Sequence, residues 1–389
     1  GESNQSLRLT FQPTNRCNLN CSYCYQNNKG TQNLPTWMAK KLIDKIFSND
    51  KEYFKGFLHD DYLNIILDFI GGEATLCMDF VNDVTDYFIA KCVEFKKEHW
   101  LLNFEVWLET NGTTYFQPKV QEYIHKHVDR MDLPITLDGS KECHDACRKY
   151  YDGRGSFDDV YKAIKHYIAT YGKYPNTKIT ISPNNVEYMF DAIKTMMDLG
   201  YHGVRLSCVN EDVWDKEHDD IFREQLEKYY DYLEKSGARF VLYPYSKPTT
   251  YKSELQAGNC GTNGNMLCLD CHGKLYLCHR FTEISDLKGK ESLSIGNIDE
   301  GITENGLQII EEIKRSMELT ENTPGCKNCA IGGACESCPA FNYEHYGRTH
   351  GIIKTNCHKM RIAHEVLLEH YKQVDFGRRQ WQGIIPASF

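Results

Sequence analysis

The run Leu7-Arg8-Leu9-Thr10-Phe11 alternates apolar and polar residues and leads, through Gln12 to Arg16, into Cys17-Asn18-Leu19-Asn20-Cys21-Ser22-Tyr23-Cys24. The alternation predicts a β-strand. The three cysteines after it are spaced Cys-x3-Cys-x2-Cys, on a loop short enough to wrap one cube. Three thiolates hold three irons of a 4Fe-4S cluster and leave the fourth open, and an open coordination site marks a catalytic rather than a structural metal centre. The loop also follows the first strand, at the carboxyl edge where α/β sheets and barrels place their sites.

Working outward, strand-like and helical patterns alternate over the first 240 residues. A helical pattern over Trp37 to Phe47 precedes strand-like Tyr62 to Ile70, and helical Phe80 to Glu98 precedes Asn103 to Leu108. Helical Val120 to Val128 precedes Leu133 to Leu137, and helical Phe157 to Thr170 precedes Lys178 to Ser182. Helical Val186 to Leu199, strand-like Gly203 to Val209 and helical Ile221 to Lys235 complete six strand-plus-helix units. Such a series predicts an α/β fold, a parallel sheet with helices outside it, either open or closed into a partial barrel. After about residue 245 the rhythm stops. Gly- and Cys-rich segments with few helices run from Gly258 to Cys357, and one helical stretch follows, Arg361 to Tyr371. The boundaries read as 1–245, 246–372 and a C-terminal tail at 373–389.

The chain has 389 residues and a formal net charge of −9. Its positive runs are no longer than pairs such as Lys40-Lys41, Lys96-Lys97 and Arg378-Arg379, which speaks against nucleic acid as a partner. No stretch reaches the ~18 apolar residues of a membrane span, and no apolar signal block opens the chain. A cytoplasmic protein without membrane contact is expected. Seventeen cysteines are then too many for packing. The odd total rules out a fully paired disulfide set, so metal or iron–sulfur ligation is the better account.

The Cys-x3-Cys-x2-Cys loop after strand one, with Tyr23 before its third cysteine, resembles that of the radical S-adenosylmethionine enzymes. Further matches follow in order. Gly71-Gly72-Glu73 ends strand two, similar to the Gly-Gly-Glu motif that receives the methionine amino group in that family. Glu109-Thr110-Asn111-Gly112 closes strand three. Leu137-Asp138-Gly139 closes strand four and is followed by His144, Asp145 and Arg148. Gly155-Ser156-Phe157 resembles the family's glycine-aromatic segment, and Thr136 stands where the family has a serine. The resemblance implies contacts to S-adenosylmethionine from Tyr23, Gly71, Gly72, Glu73 and Asn111. It makes Thr136, Asp138, Arg148 and Ser182 candidates for contacts to the methionine carboxylate or the ribose.

In the last third, Cys260-x12-Gly273-x4-Cys278, then Cys326-x2-Cys329-x5-Cys335-x2-Cys338 and finally Cys357 resemble the SPASM extension of these enzymes. The family's last internal spacing is x3, one residue longer than here. The resemblance implies two auxiliary 4Fe-4S clusters, three clusters in all. Cys326, Cys329, Cys335 and Cys357 hold the distal one, and Cys260, Cys278 and Cys338 the nearer. The place of the nearer cluster's fourth ligand, around Met266, lacks a cysteine, which leaves Cys268, Cys271 or an open iron as alternatives. Met266 to Cys271 and Lys274 to Cys278 flank His272-Gly273 as a hairpin that sets Cys268 and Cys278 on paired strands. Cys77, Cys92, Cys143, Cys147 and Cys208 read as packing residues.

The resemblance covers roughly residues 7 to 370. It implies reductive cleavage of S-adenosylmethionine to a 5′-deoxyadenosyl radical, which abstracts hydrogen from a peptide or protein substrate, with a flavodoxin- or ferredoxin-type electron donor. A ribosomal-peptide maturase forming a thioether or another side-chain cross-link is the first expectation. Only 16 residues precede Cys17. Leader recognition then falls to a separate protein or to the SPASM region, or is missing. The runner-up is an anaerobic sulfatase-maturating, formylglycine-forming enzyme. That family places a catalytic aspartate directly after the Gly-x4-Cys cysteine, where this chain has His279 and Arg280, the expected catalytic residues. In another class stands a non-catalytic zinc or iron–sulfur binding module.

Overall fold

The computed structural model describes residues 6–58, 62–211, 213–246, 264–326, 329, 331 and 337–373. Its first half follows the expected alternation. The strand β1 (Ser6–Phe11), α1 (Thr36–Phe47), β2 (Asn64–Phe69), α2 (Met78–Glu94), α3 (Glu98–Asn103), β3 (Glu105–Leu108), α4 (Pro118–His127) and β4 (Met131–Asp132) come first. Then follow α5 (Lys141–Cys147), α6 (Phe157–Tyr171), β5 (Lys178–Ile181), α7 (Met189–Asp198), β6 (Gly203–Cys208), α8 (Lys216–Ser236) and β7 (Val241–Tyr243). The Cys-rich region contributes β8 (Met266–Leu269), β9 (Lys274–Tyr276), β10 (Gly296–Asn297), β11 (Gly301–Ile302), α9 (Glu304–Glu321), α10 (Pro339–Tyr346) and α11 (Lys354–Gln373).

The chain is an α/β protein built on parallel strands. One sheet runs β11-β10-β9-β8-β1-β2-β3-β4 and a second runs β5-β6-β7. The pairs β1–β2, β2–β3, β3–β4, β5–β6 and β6–β7 are all parallel. The strands thus fall into two sheets rather than one continuous barrel wall. Past the end of β4, the Ile135 N–H donates to the Asn176 carbonyl at 2.9 Å and the Leu137 N–H to the Thr177 hydroxyl at 3.1 Å, which joins the sheets edge to edge.

Alternation along the strands sorts the side chains. Leu7, Leu9, Phe11, Ile65, Leu67, Phe69, Val106 and Leu108 are buried and share one core with Leu42 and Ile43 of α1 and Val81, Val84 and Phe88 of α2. Arg8, Thr10, Asp68, Glu105 and Trp107 take the intervening positions and face the other way.

Several features depart from expectation, among them β4, which lies at Met131–Asp132 rather than at Leu133 to Leu137. The hairpin β8–β9 forms, with Cys268 opposite Tyr276, but Cys278 lies two residues beyond β9 rather than on a paired strand. The same β8 also pairs in parallel with β1, setting Cys268 opposite Thr10, so the Cys-rich region extends the central sheet. The helix α9, in a stretch expected to hold few helices, is fixed by Thr303, whose hydroxyl accepts from the Gly306 N–H at 3.0 Å. Among its described side chains Ile310 and Ile313 are the deeply buried hydrophobics, a narrow stripe among acidic residues. Among the described residues, no helix is long and apolar enough to cross a membrane. Cys260, Cys335 and residues 374–389 lie outside the described residues.

Candidate functional site

The cysteine loop is held by the turn after β2. The Gly72 N–H donates to the Thr14 carbonyl at 3.0 Å and the Glu73 N–H to the Arg16 carbonyl at 2.8 Å. A Cβ on Gly71 would stand 2.5 Å from the Thr14 oxygen, and one on Gly72 2.0 Å from the Arg16 oxygen. Both positions therefore require glycine, because the backbone leading into Cys17 occupies the space a side chain would fill. Cys17, Cys21 and Cys24 are half-buried and free. Burial above all pushes the Cys17 thiol up to about 11 and raises that of Cys21, so a metal must displace those protons to bind.

Glu73 is 2% exposed, and its carboxylate is engaged from several sides. Oε1 accepts from the Thr75 hydroxyl at 2.5 Å and the Thr110 hydroxyl at 2.7 Å, and Oε2 accepts from the Asn111 N–H at 2.7 Å. Glu73 thus ties the turn after β2 to the end of β3. Asn111 continues the chain of contacts: its Nδ2 donates to Asn18 Oδ1 at 2.9 Å and approaches Cys17 Sγ at 3.8 Å.

From the other side the loop meets the segment after β4. Asp138 is fully buried; its Oδ2 accepts from Arg148 Nε at 2.9 Å and from the Tyr23 hydroxyl, and its Oδ1 accepts from the Thr180 N–H at 2.8 Å. Arg148 Nη1 lies 3.8 Å from Cys21 Sγ. His144 supports this segment from behind. Its Nδ1 accepts from the Asp138 N–H at 3.1 Å, so the ring proton is on Nε2, 2.9 Å from Ser156 Oγ. Burial pushes this imidazole down to about 3. Ser182 is buried, with its hydroxyl 3.5 Å from Cys147 Sγ, and the Thr136 N–H donates to the Thr110 carbonyl at 3.2 Å. Tyr23, Gly71, Gly72, Glu73, Asn111, Asp138 and Arg148 are therefore brought together around the cysteines, while Thr136 and Ser182 belong to the adjoining strand ends.

Sequence reading passed over the polar residues on the strands themselves. Arg8 Nε donates to Asp68 Oδ2 at 2.8 Å, its Nη2 reaches Glu109 Oε1 at 3.3 Å, and its guanidinium lies 4.5 Å from the Trp107 ring centre. The Glu109 side chain is 34% exposed, so this face is open to solvent at that point. The signal was present as polar residues at the inward positions of strands that otherwise read as apolar.

His279 is half-buried, and burial followed by Arg8, Arg280 and Lys178 pushes its imidazole down to about 3. Arg280 is held tightly. Its Nη2 donates to Glu211 Oε1 at 2.6 Å and to both Glu344 oxygens at 2.9 Å. The guanidinium lies between the rings of Tyr25 at 3.9 Å and Phe341 at 4.3 Å. This triad fastens α10 to the segment after β6. Of the C-terminal cysteines, Cys278, Cys326, Cys329, Cys338 and Cys357 are half-buried. Cys268 is fully buried on β8. Cys271 instead donates to the Gln12 carbonyl at 3.2 Å and to Asn15 Oδ1 at 3.4 Å, at the root of the N-terminal loop. Cys92, Cys143 and Cys147 are buried, and Cys77 and Cys208 half-buried.

The family model of the Radical SAM superfamily matches residues 11–182. An uncharacterized protein of Methanocaldococcus jannaschii is 27% identical over 283 residues, which is 72% of this chain and 87% of that protein. The antilisterial bacteriocin subtilosin biosynthesis protein AlbA of Bacillus subtilis is 24% identical over 303 residues, 75% of this chain. The match spans only 57% of that relative's length. Native anSMEcpe, solved with bound AdoMet and the Cp18Cys peptide, shares the fold at a TM-score of 0.65 and 16% identity, over 95% of this chain and 97% of that one. The matched residues run from the last residue of β1 to Ser182, and it is this part of the chain, with the Cys17–Cys24 loop, the turn after β2 and the Asp138–Arg148 pair, that matches the radical SAM superfamily.

Proposed function

We propose that this chain is a peptide-modifying radical enzyme, a ribosomal-peptide maturase that forms a thioether or another side-chain cross-link. The observation that carries the reading is the clamping of the Cys17–Cys24 loop between the Gly71-Gly72-Glu73 turn and the Asp138–Arg148 pair. The donor set fits the implied group: three free thiols on one short loop take three irons, and N–H groups of Leu19, Asn111 and Arg148 point at their sulfurs. When bound, a reduced 4Fe-4S cluster and S-adenosylmethionine supply a 5′-deoxyadenosyl radical that takes a hydrogen atom from a C–H bond.

The chain's own residues hold and orient. Cys17, Cys21 and Cys24 ligate, and Gly71 and Gly72 let the loop seat against the turn. Glu73 is engaged by Thr75, Thr110 and Asn111, so we assign it to positioning that turn, leaving the backbone beside it for the methionine amino group. The polar face of Arg8, Asp68 and Glu109 offers charged partners to a bound peptide. Cys260, Cys278, Cys338 and Cys326, Cys329, Cys335, Cys357 are the proposed ligands of two auxiliary clusters within residues 246–372. Cys271 braces the N-terminal loop, which leaves Cys268 or an open iron at the nearer cluster's fourth position.

A sulfatase-type reaction needs a base where this chain has His279. Burial, and after it Arg8, Arg280 and Lys178, push that imidazole down to about 3, below the range of an effective base near neutral pH. Arg280, committed to Glu211 and Glu344, is a structural tie. The cross-linking reading is therefore preferred.

The test is anaerobic reconstitution with iron and sulfide, dithionite reduction and chromatography for 5′-deoxyadenosine and methionine, with iron counted per chain. Both products, lost in Cys24→Ala, support the reading. Zinc in place of iron with no 5′-deoxyadenosine returns the chain to a binding module. Peptides are then screened by mass for the loss of hydrogen that a cross-link brings.

A further inference from the structure

We propose that Arg148 sets the reduction potential of the N-terminal iron–sulfur site: its guanidinium, locked in place by Asp138 and Tyr23, donates an N–H to the Cys21 thiolate and stabilises the reduced state. The inference rests on the radical reading of that site and adds to it a role for a residue that motif reasoning assigns to S-adenosylmethionine.

The geometry holds the arm at both ends. At the side chain, Arg148 Nε is 2.9 Å from Asp138 Oδ2, the guanidinium lies 5.3 Å from the Tyr23 ring centre, and Nη1 is 3.8 Å from Cys21 Sγ. At the backbone, the Arg148 carbonyl accepts from Ser156 Oγ at 3.0 Å and from the Ser156 N–H at 3.2 Å, and its N–H donates to the His144 carbonyl at 2.8 Å. The side chain is 12% exposed and Asp138 fully buried, so water does little to screen the charge. Asp138 does not cancel it at the sulfur, because its carboxylate is shared with the Tyr23 hydroxyl and the Thr180 N–H, and Arg148 turns a different nitrogen toward Cys21.

The donors that meet Cys17 are neutral. The Leu19 N–H lies 3.5 Å from Cys17 Sγ and Asn111 Nδ2 3.8 Å. A further cation stands nearby. Lys29 Nζ donates to the Leu19 carbonyl at 3.2 Å, on the stretch of loop between Cys17 and Cys21. Reduction adds one negative charge at the thiolate cage, and a fixed cation next to it favours that state, as hydrogen bonds and charge near cluster sulfurs do generally. Because Arg148 is already oriented, little reorganisation is needed when the electron arrives.

The experiment is a redox titration of the reconstituted full chain without S-adenosylmethionine, following the paramagnetic signal that Cys24→Ala removes. A contact to S-adenosylmethionine cannot move this readout. In Arg148→Gln the reduced-to-oxidised ratio at a fixed potential should fall about tenfold, a shift of ~59 mV for one electron. Lys29→Gln should shift it the same way by less. A cluster that assembles in Arg148→Gln with the wild-type midpoint overturns the proposal. Should Arg148→Gln not assemble its cluster, Arg148→Lys decides: it keeps the charge but not the fork held by Asp138, so a lower midpoint supports the proposal and an unchanged one overturns it. A wild-type chain with no signal sensitive to Cys24→Ala would instead overturn the radical reading itself.

Discussion

The Glu73 N–H donates to the Arg16 carbonyl at 2.8 Å, so the turn that ends β2 carries the residue immediately before Cys17, the first cysteine of the loop. The cysteine loop, ending at Cys24, and the turn that begins at Gly71 are one structural unit, and the two glycines of the turn leave space for the loop's backbone.

Gly72→Ala should therefore act on the metal site. Its Cβ would meet the Arg16 oxygen at 2.0 Å, which only a displaced cysteine loop relieves. The expected outcome is loss of N-terminal cluster iron and of S-adenosylmethionine cleavage, with a stability cost of at least ~2 kcal/mol and a retained far-ultraviolet spectrum. Iron counting and circular dichroism check it; a normal iron content would show that the loop tolerates the shift.

Arg280 should matter to stability. Arg280→Met leaves Glu344, whose side chain is fully buried, beside Glu211 with no cation between them. A loss of about 3–5 kcal/mol is expected, and Arg280→Met with Glu344→Leu should recover much of it, since removing both partners removes the uncompensated charge. Denaturant unfolding of the metal-free protein measures both. A stable Arg280→Met variant with lost activity would return Arg280 to a catalytic role.

Acid should weaken the support behind Asp138. The folded-state value of His144, about 3, lies below its ordinary 6.5, so the native state binds fewer protons than the unfolded chain between the two. Its contribution is complete above 6.5 and is lost as pH falls toward 3. From pH 6.5 to 5 the loss is about 2 kcal/mol at 1.36 kcal/mol per unit. Urea unfolding of wild type against His144→Gln across this range should give a difference curve with that slope; a flat difference would mean that the imidazole protonates in the folded protein without cost.

Lys359 should hold α11 on α8. Its ammonium is fully buried, pairs with Asp219 and lies 3.7 Å from the Trp214 ring centre. Lys359→Ala removes the cation and leaves Asp219 behind, an expected cost of about 3 kcal/mol. Limited proteolysis should then cut at α11 before the rest of the chain; an unchanged cleavage pattern would show that the Arg223–Glu365 pair suffices.

What was legible in the chain was local. Cys17, Cys21 and Cys24 declare themselves by spacing, and β1, α1, β2, α6 and β5 by apolar period, because each depends on neighbours within one or two turns of chain. The candidates Thr136 and Ser182 were read from motif position, and that position places them at the strand ends beside the site, not at the cysteines. Arg280 reads as a catalytic candidate from its place after Cys278 and His279, and nothing near it in sequence reveals Glu211 or Glu344.

The amino-acid sequence by itself determined the strand-and-helix alternation, the cysteine pattern and the glycines of the turn after β2, since periodicity and spacing are properties of adjacent residues. Only the tertiary structure decided that β8 joins the free edge of β1, that Glu73 spends its oxygens on Thr75, Thr110 and Asn111, and that Arg148 reaches Cys21 from Asp138. Those are choices between distant partners, made by which groups a folded core leaves within reach of one another, and no local pattern encodes them.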